Sequence, residues 1–308
     1  MSRFRLLTAF YDTPWAIIPD RLPIIRAVLH RWADGVKLTD EEIRAAVGDA
    51  PAAAAARREQ PQPKGIGVLP ILGVMAQRVA GDASTAGTAT DSVRRHFAAM
   101  LANNEIGAIV LDIDSPGGSV FGIQELAADI AAARGQKKVV AVANSLAASA
   151  AYWVASAAEE IVVTPSGQVG SIGVISAHED HSAELEQKGV KVTLITAGKY
   201  KGEGHPFAPL DEEALAARQA HVNTYYDAFV GAVAKNRGVK PADVRDGFGQ
   251  GRVVGSAEAK ELGMVDRIET LDATIERLLS STRAQAPRNR SARADHELAV
   301  LSAEHDTN

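Results

Sequence analysis

Between residues 65 and 268, short apolar runs alternate with stretches of helical pattern, and this alternation limits the fold more than any other feature. The runs 66–71, 108–113, 137–143, 160–164, 190–196 and 264–268 are rich in Val and Ile and last only five to seven residues, which suits buried strands. Helical spacing fills most of the gaps. Asp91-Ser92 opens one helix to about residue 103, and another spans 121–134 and is closed by Gly135. Further helices are expected over 182–188, 256–262 and 272–279, and a long one over 211–237 opened by Asp211-Glu212-Glu213. Strands separated by helices imply βαβ units with right-handed crossovers, an α/β fold on a mostly parallel sheet. Residues 73–90, rich in Gly, Ala, Ser and Thr, read as a mobile loop.

In such a sheet the site lies where strands end and helices begin. Three small-residue turns fall at those places: 114–119, 144–151 and 167–174. The second, Asn144-Ser145-Leu146-Ala147-Ala148-Ser149-Ala150-Ala151-Tyr152-Trp153, passes from strand to helix and presents Ser149 at the helix N-terminus. Unpaired N–H groups there carry partial positive charge, which suits a hydroxyl engaged in acyl transfer. A Ser/Ala run chosen only for close helix packing would look the same. Pro116-Gly117-Gly118 lets backbone N–H groups approach a substrate, although an ordinary turn would also use glycine.

A serine nucleophile needs a base. His96 and His221 fall within helical patterns, and His178 and His181 read as a solvated pair with no third metal ligand at a recognisable spacing. His205, in a loop, stays open as a base. So do the lysines of Ala197-Gly198-Lys199-Tyr200-Lys201, which follow a strand, since a lysine acts as base once burial keeps it neutral.

Composition sets the outer bounds. The 308 residues are 46% hydrophobic and 23% charged, ordinary for a globular protein, and a net charge of −5 gives no nucleic-acid footprint. With no cysteine, thiolate catalysis and cysteine-ligated metals are excluded. No apolar run reaches the roughly 18 residues of a membrane span, and the N-terminal apolar run is cut short by Asp12, so a cytoplasmic location is expected. Residues 1–50 read as a small helical segment of their own, with a helical stripe of Leu22, Ile25, Val28, Leu29 and Trp32 and a capping box at Thr39-Asp40-Glu41-Glu42. A Pro/Ala-rich linker over 51–64, a main domain over 65–280 and a polar disordered tail over 281–308 complete the expected organisation.

Taken together, Asp114-Ser115-Pro116-Gly117-Gly118, Ala148-Ser149-Ala150-Ala151-Tyr152-Trp153, Gly170-Ser171-Ile172-Gly173-Val174 and Gly198-Lys199-Tyr200-Lys201 followed by His205-Pro206-Phe207 resemble the S49 serine peptidases. This is the signal-peptide-peptidase-A group of the Clp-protease/crotonase superfamily. The resemblance covers about residues 65–270. It implies a Clp/crotonase-like spiral of βαβ units and a Ser/Lys dyad with Ser149 as nucleophile and Lys201, rather than Lys199, as base. It further implies an oxyanion hole from the N–H groups of Gly118 and Ala150, a cleft lined by Gly117 and Ser171 with Ser171 assisting the lysine, no cofactor and no metal. Two departures stand out: the family's Gly-Gly after the serine is Ala150-Ala151, and its Ser before Gly198 is Ala197.

Pro14-Trp15-Ala16-Ile17-Ile18 and the run after the lysine are similar to the phage head-maturation branch. That likeness implies an endopeptidase acting on scaffold or capsid proteins within an assembling procapsid, self-associated as its relatives are. Other readings are a signal-peptide or general protein-degrading S49 peptidase, a crotonase-like acyl-CoA enzyme, and a non-catalytic capsid component.

Overall fold

The computed structural model describes residues 10–11, 13–33, 65–78 and 87–285, together with the single positions 36, 39, 42 and 56. The expected linker, apart from position 56, and nearly all of the tail lie outside the described residues. Thr39 and Glu42 do exchange the hydrogen bonds of a capping box, Thr39 N–H to Glu42 Oε2 and Glu42 N–H to Thr39 Oγ1.

The strands run in chain order as β1 (Trp15–Ile17), β2 (Ile66–Leu72), β3 (Val74–Ala76), β4 (Gly87–Ala89), β5 (Ala108–Ser115), β6 (Gly117–Ser119), β7 (Lys138–Ala148), β8 (Glu160–Val163), β9 (Gln168–Gly170), β10 (Val253–Gly255) and β11 (Arg267–Ile268). The helices are α1 (Arg21–Ala33), α2 (Thr90–Ala102), α3 (Ile123–Ala132), α4 (Ala150–Ser156), α5 (Ser182–Gln187), α6 (Glu212–Arg237), α7 (Pro241–Gly247), α8 (Ser256–Glu261) and α9 (Leu271–Gln285). The fold is α/β and built of βαβ units. In the main sheet β2, β5 and β7 lie side by side and parallel, and β7 then serves two partners along one edge. Its first half, Val140 to Ala143, pairs with β8, and its last three residues, Leu146 to Ala148, pair with β9.

These strands are buried on both faces, which explains their unbroken Val/Ile/Leu runs. On one face α2, α3, α4 and α6 cover a core that includes Leu69, Ile109, Leu111, Ile130 and Trp153. On the other, α9 brings Leu271, Ile275 and Leu278 against Val110, Val140 and Val162. Trp153 of α4 stacks on Phe229 of α6 with ring centroids 4.7 Å apart and an interplanar angle of 8°.

Four local expectations change. Residues 73–90 contain two short parallel strands, β3 and β4, not a featureless loop; Thr88 ties them in by donating to the Leu72 carbonyl and accepting from the Leu72 N–H. Helix α2 starts at Thr90, and Asp91 lies in its first turn, where it pairs with Arg78. The 190–196 run forms no strand and is exposed, Ile195 at 96%. Helix α7, opened by a proline at its start, is an addition.

Trp15–Ile17, in sequence only an apolar stretch ahead of the first helix, is a strand of the main body. It pairs antiparallel with β6 in a second, four-stranded sheet of order β1-β6-β3-β4.

Candidate active site

Ser149 stands at the junction of β7 and α4 with φ 56° and ψ −120°, a conformation that L-residues rarely adopt and that costs on the order of 1–3 kcal/mol. Its neighbours hold it there. The Ser149 N–H donates to the Gly170 carbonyl at 2.7 Å, and the Ser149 carbonyl accepts from Trp153 N–H at 3.0 Å. Tyr152 and Trp153 are fully buried just beyond, each contributing roughly 1.5–3 kcal/mol of apolar burial, which outweighs the strain. The Tyr152 hydroxyl donates to the Met264 carbonyl, and burial pushes that phenol's pKa well up. At the far end of α4, Arg134 donates to the carbonyls of Ser156, Ala157 and Ala158. A charged cap on orphan carbonyls fixes the helix that starts at the serine.

The Ser149 Oγ faces the Gly173 carbonyl at 3.4 Å. Ala150 occupies the first position of α4, where an N–H has no intrahelical acceptor. The other proposed donor, Gly118, lies in β6 one residue beyond Gly117, whose φ of 97° suits only glycine. A β-carbon on Gly117 would come within 2.2 Å of the Ala16 carbonyl and 3.0 Å of the Ser149 β-carbon, and one on Gly118 within 1.9 Å of the Met75 carbonyl. Backbone therefore passes hard against the serine on this side.

Ser171 is buried, with φ 53°, and its N–H donates to Arg252. Its Ser149-facing turn is thus fixed by backbone bonds to β10 and to the residue before it. Lys201 lies in an exposed turn, its N–H bonded to Gly198, and among the described residues no bond links it to Ser149 or Ser171. Lys199 donates to Glu213 and to the Tyr200 hydroxyl, both at 2.7 Å, and those hydrogen bonds raise its pKa and keep it charged.

Four of the five candidate histidines are engaged elsewhere, and the fifth, His178, has a buried Nε2 without a hydrogen-bond partner among the described residues. His96 bonds the Ser92 carbonyl, His205 accepts from Phe207 N–H, His221 packs on Tyr225, and His181 meets Glu179 and Glu184. Among the described residues no group of three metal-ligating side chains converges.

Sequence reasoning missed two parts of this site. One is a pair of polar links between strand ends: Asn144 donates to Asp112 at 3.1 Å and Ser145 to Asp114 at 2.5 Å, locking β7 to β5 just before the serine. The other is β1, whose only signal was an apolar run between Pro14 and Pro19.

A buried serine in an uncommon backbone conformation between a strand and a helix, beside a glycine strand, suits a serine-type peptidase. Residues 131–285 match peptidase family S49, and the chain belongs to that family. It is 32% identical over 66% of its length to the capsid assembly protease C of Escherichia phage lambda, covering 46% of that protein. It is 35% identical over 57% of its length to the head-tail preconnector protein of Enterobacteria phage P21, covering 35% of it. The chain thus spans less than half the length of these two relatives. A membrane-bound stomatin-specific protease of known structure superposes with a TM-score of 0.45 at 13% identity, over 70% of this chain and 85% of the other. Among the described residues no helix is long and apolar enough to cross a membrane.

Proposed function

We propose that the protein is a serine endopeptidase that cleaves scaffold or capsid proteins during phage head assembly. The observation that carries this reading is the strained, buried Ser149 at the N-terminus of α4, held by Gly170 and with its Oγ facing the Gly173 carbonyl. Ser149 Oγ attacks the peptide carbonyl, and the N–H groups of Ala150 and Gly118 receive the developing oxyanion. Lys201 is the base, taking the hydroxyl proton and returning it to the leaving amine, and Ser171 steadies it. Acylation forms an ester on Ser149 with loss of the C-terminal fragment, and water releases the other.

For Lys201 to act, the 188–210 segment must be ordered against the site. Val190, Val192, Leu194 and Ile195, which share it, are exposed, and an apolar run left open to solvent supports an active form assembled from several copies. The phage relatives support the head-assembly substrates and a procapsid location.

The test is cleavage of casein and of a phage scaffold protein by wild type, Ser149→Ala and Lys201→Ala. Both variants are expected to be inactive with unchanged circular dichroism. Undiminished cleavage by either one removes that residue from the dyad. A lysine base also predicts a rate that falls as pH drops towards neutral, because only the neutral amine accepts the proton.

A further inference from the structure

Strand β1 is clamped on both edges. On one side it pairs antiparallel with β6, Trp15 opposite Ser119, Ala16 opposite Gly118 and Ile17 opposite Gly117. On the other, Trp15 N–H donates to the Ile175 carbonyl at 2.7 Å and Ile175 N–H to the Trp15 carbonyl at 2.8 Å. The bonds that flank the β6 pairing are Ile18 N–H to Pro116 and Val120 N–H to Pro14. Hydrogen-bonded pairs alternate in an antiparallel ladder, so Ala16 and Gly118 form the pair between them and exchange both bonds. The Ala16 carbonyl therefore accepts from the Gly118 N–H, the group assigned above to the oxyanion hole.

The Ala16 carbonyl also crowds the same point beside Gly117 as the Ser149 β-carbon. The second edge, at Ile175, continues from Gly173, whose carbonyl faces the Ser149 hydroxyl. An extended peptide held by backbone bonds between two edges, with one carbonyl on an oxyanion donor beside the serine, is how a peptidase holds a substrate. Strand β1 thus does more than end its own sheet: it bridges β6 to the 173–175 segment across the serine turn. Ala16 and Ile17 are wholly buried in this setting and Trp15 nearly so.

We infer that residues 14–18 are an internal peptide that fills the substrate groove, with the Ala16–Ile17 bond presented to Ser149, and that substrate enters only when they leave. The inference rests on the peptidase reading of the Ser149 site. The anchor that keeps β1 in place lies outside the groove. Arg26 of α1 pairs with Glu179 and donates to the Tyr11 hydroxyl at 3.1 Å, and Arg218 of α6 donates to the carbonyls of Tyr11 and Ala177. From α1, Leu22, Ile25 and Leu29 pack on the cluster of Phe10, Trp15 and Ile17. Release of the anchor opens the groove. The peptide itself reports the residues the groove takes, a small side chain at the carbonyl beside Ser149 between bulky apolar neighbours.

Arg26→Glu breaks the anchor without touching the groove, and the double variant Arg26→Glu/Glu179→Arg restores the ion pair. Two readouts apply to the full chain. Casein cleavage is expected to rise about tenfold in Arg26→Glu, as the population of open groove rises, and to return towards wild type in the double variant. In a Ser149→Ala background, a fluorescein-labelled peptide of residues 13–19 is expected to bind the Arg26→Glu chain about tenfold more tightly than the chain with Arg26 intact. Equal binding to both, or binding to neither, overturns the inference. Ser149-dependent cleavage that ignores Arg26→Glu, with no selective peptide binding, would sink the inference and leave the peptidase reading standing. Selective binding without any Ser149-dependent cleavage would keep residues 14–18 as the occupant of the groove but remove the peptidase reading, and with it the presentation of a scissile bond to Ser149.

Discussion

The two halves of the proposed dyad sit in opposite surroundings. Ser149 belongs to a stretch, residues 147–157, whose side chains are buried throughout, and its turn is fixed by bonds to β9 and α4. Lys201 belongs to residues 188–203, which are exposed nearly throughout and form no regular element. The contrast teaches where each group gets its precision. A nucleophile in an uncommon backbone conformation needs the core beneath it, because strain persists only where packing over-determines it. A base that must be neutral needs a dry surface, and in this segment that surface has to come from outside it.

The largest effect that sharpens this contrast is on activity. Ser149→Ala is expected to lower casein cleavage by more than about a thousandfold while the melting temperature holds, since only the Oγ is lost. A lysine pair then sets the exposed half against itself. Lys201→Ala should abolish cleavage, whereas Lys199→Ala, which removes a charged partner of Glu213, should leave the rate within about twofold, as expected for a solvent-exposed ion pair. Equal losses would mean that the segment, not one amine, is what matters.

On the buried side, Phe229→Ala removes the ring stacked on Trp153 and should destabilise the fold by about 3–5 kcal/mol in denaturant unfolding. The activity of the folded fraction should fall as well, because α4 carries the serine. An unchanged midpoint would separate the serine turn from the core that is said to hold it.

The smallest effect concerns pH. Burial pushes the Asp266 carboxyl up, but hydrogen bonds from Arg237 and from the Ile161 N–H outweigh it and hold its pKa below the usual carboxylate range. A depressed folded pKa stabilises the protein above the unfolded value near 3.9 and is lost as pH falls through the folded one. Asp266→Asn should therefore lower stability at pH 7 and flatten its decline in the acid range below about pH 4, as read by melting curves across pH.

Much of the core was legible because its elements are defined by their own residues. The Val/Ile runs of β2, β5 and the first half of β7 are strands wherever they pack, and Asp211 caps α6 by accepting from Ala214 N–H, as the Asp-Glu-Glu start suggests. The second half of β7 was hidden by polar residues, Asn144 and Ser145, that are in the strand because Asp112 and Asp114 meet them across the ladder. Short strands β3 and β4 were hidden because three residues carry no period, and β1 because its partners lie a hundred positions away. The 190–196 run misled in the other direction. Its β-branched residues favour a strand, but propensity without a pairing edge does not make one. At the site, the serine turn could be read from small residues at a strand end, whereas the strand lying across it could not.

The most direct test of Ser149 as nucleophile is to incubate the full chain with an aliphatic β-lactone and map acylation by mass spectrometry of its peptides. Ring opening by an activated serine leaves an ester that adds the whole mass of the lactone to one residue. The prediction is a single ester on Ser149, formed faster in Arg26→Glu and absent from both Ser149→Ala and Lys201→Ala. Esters spread over several serines, or formed at the same rate in Ser149→Ala, would contradict the account.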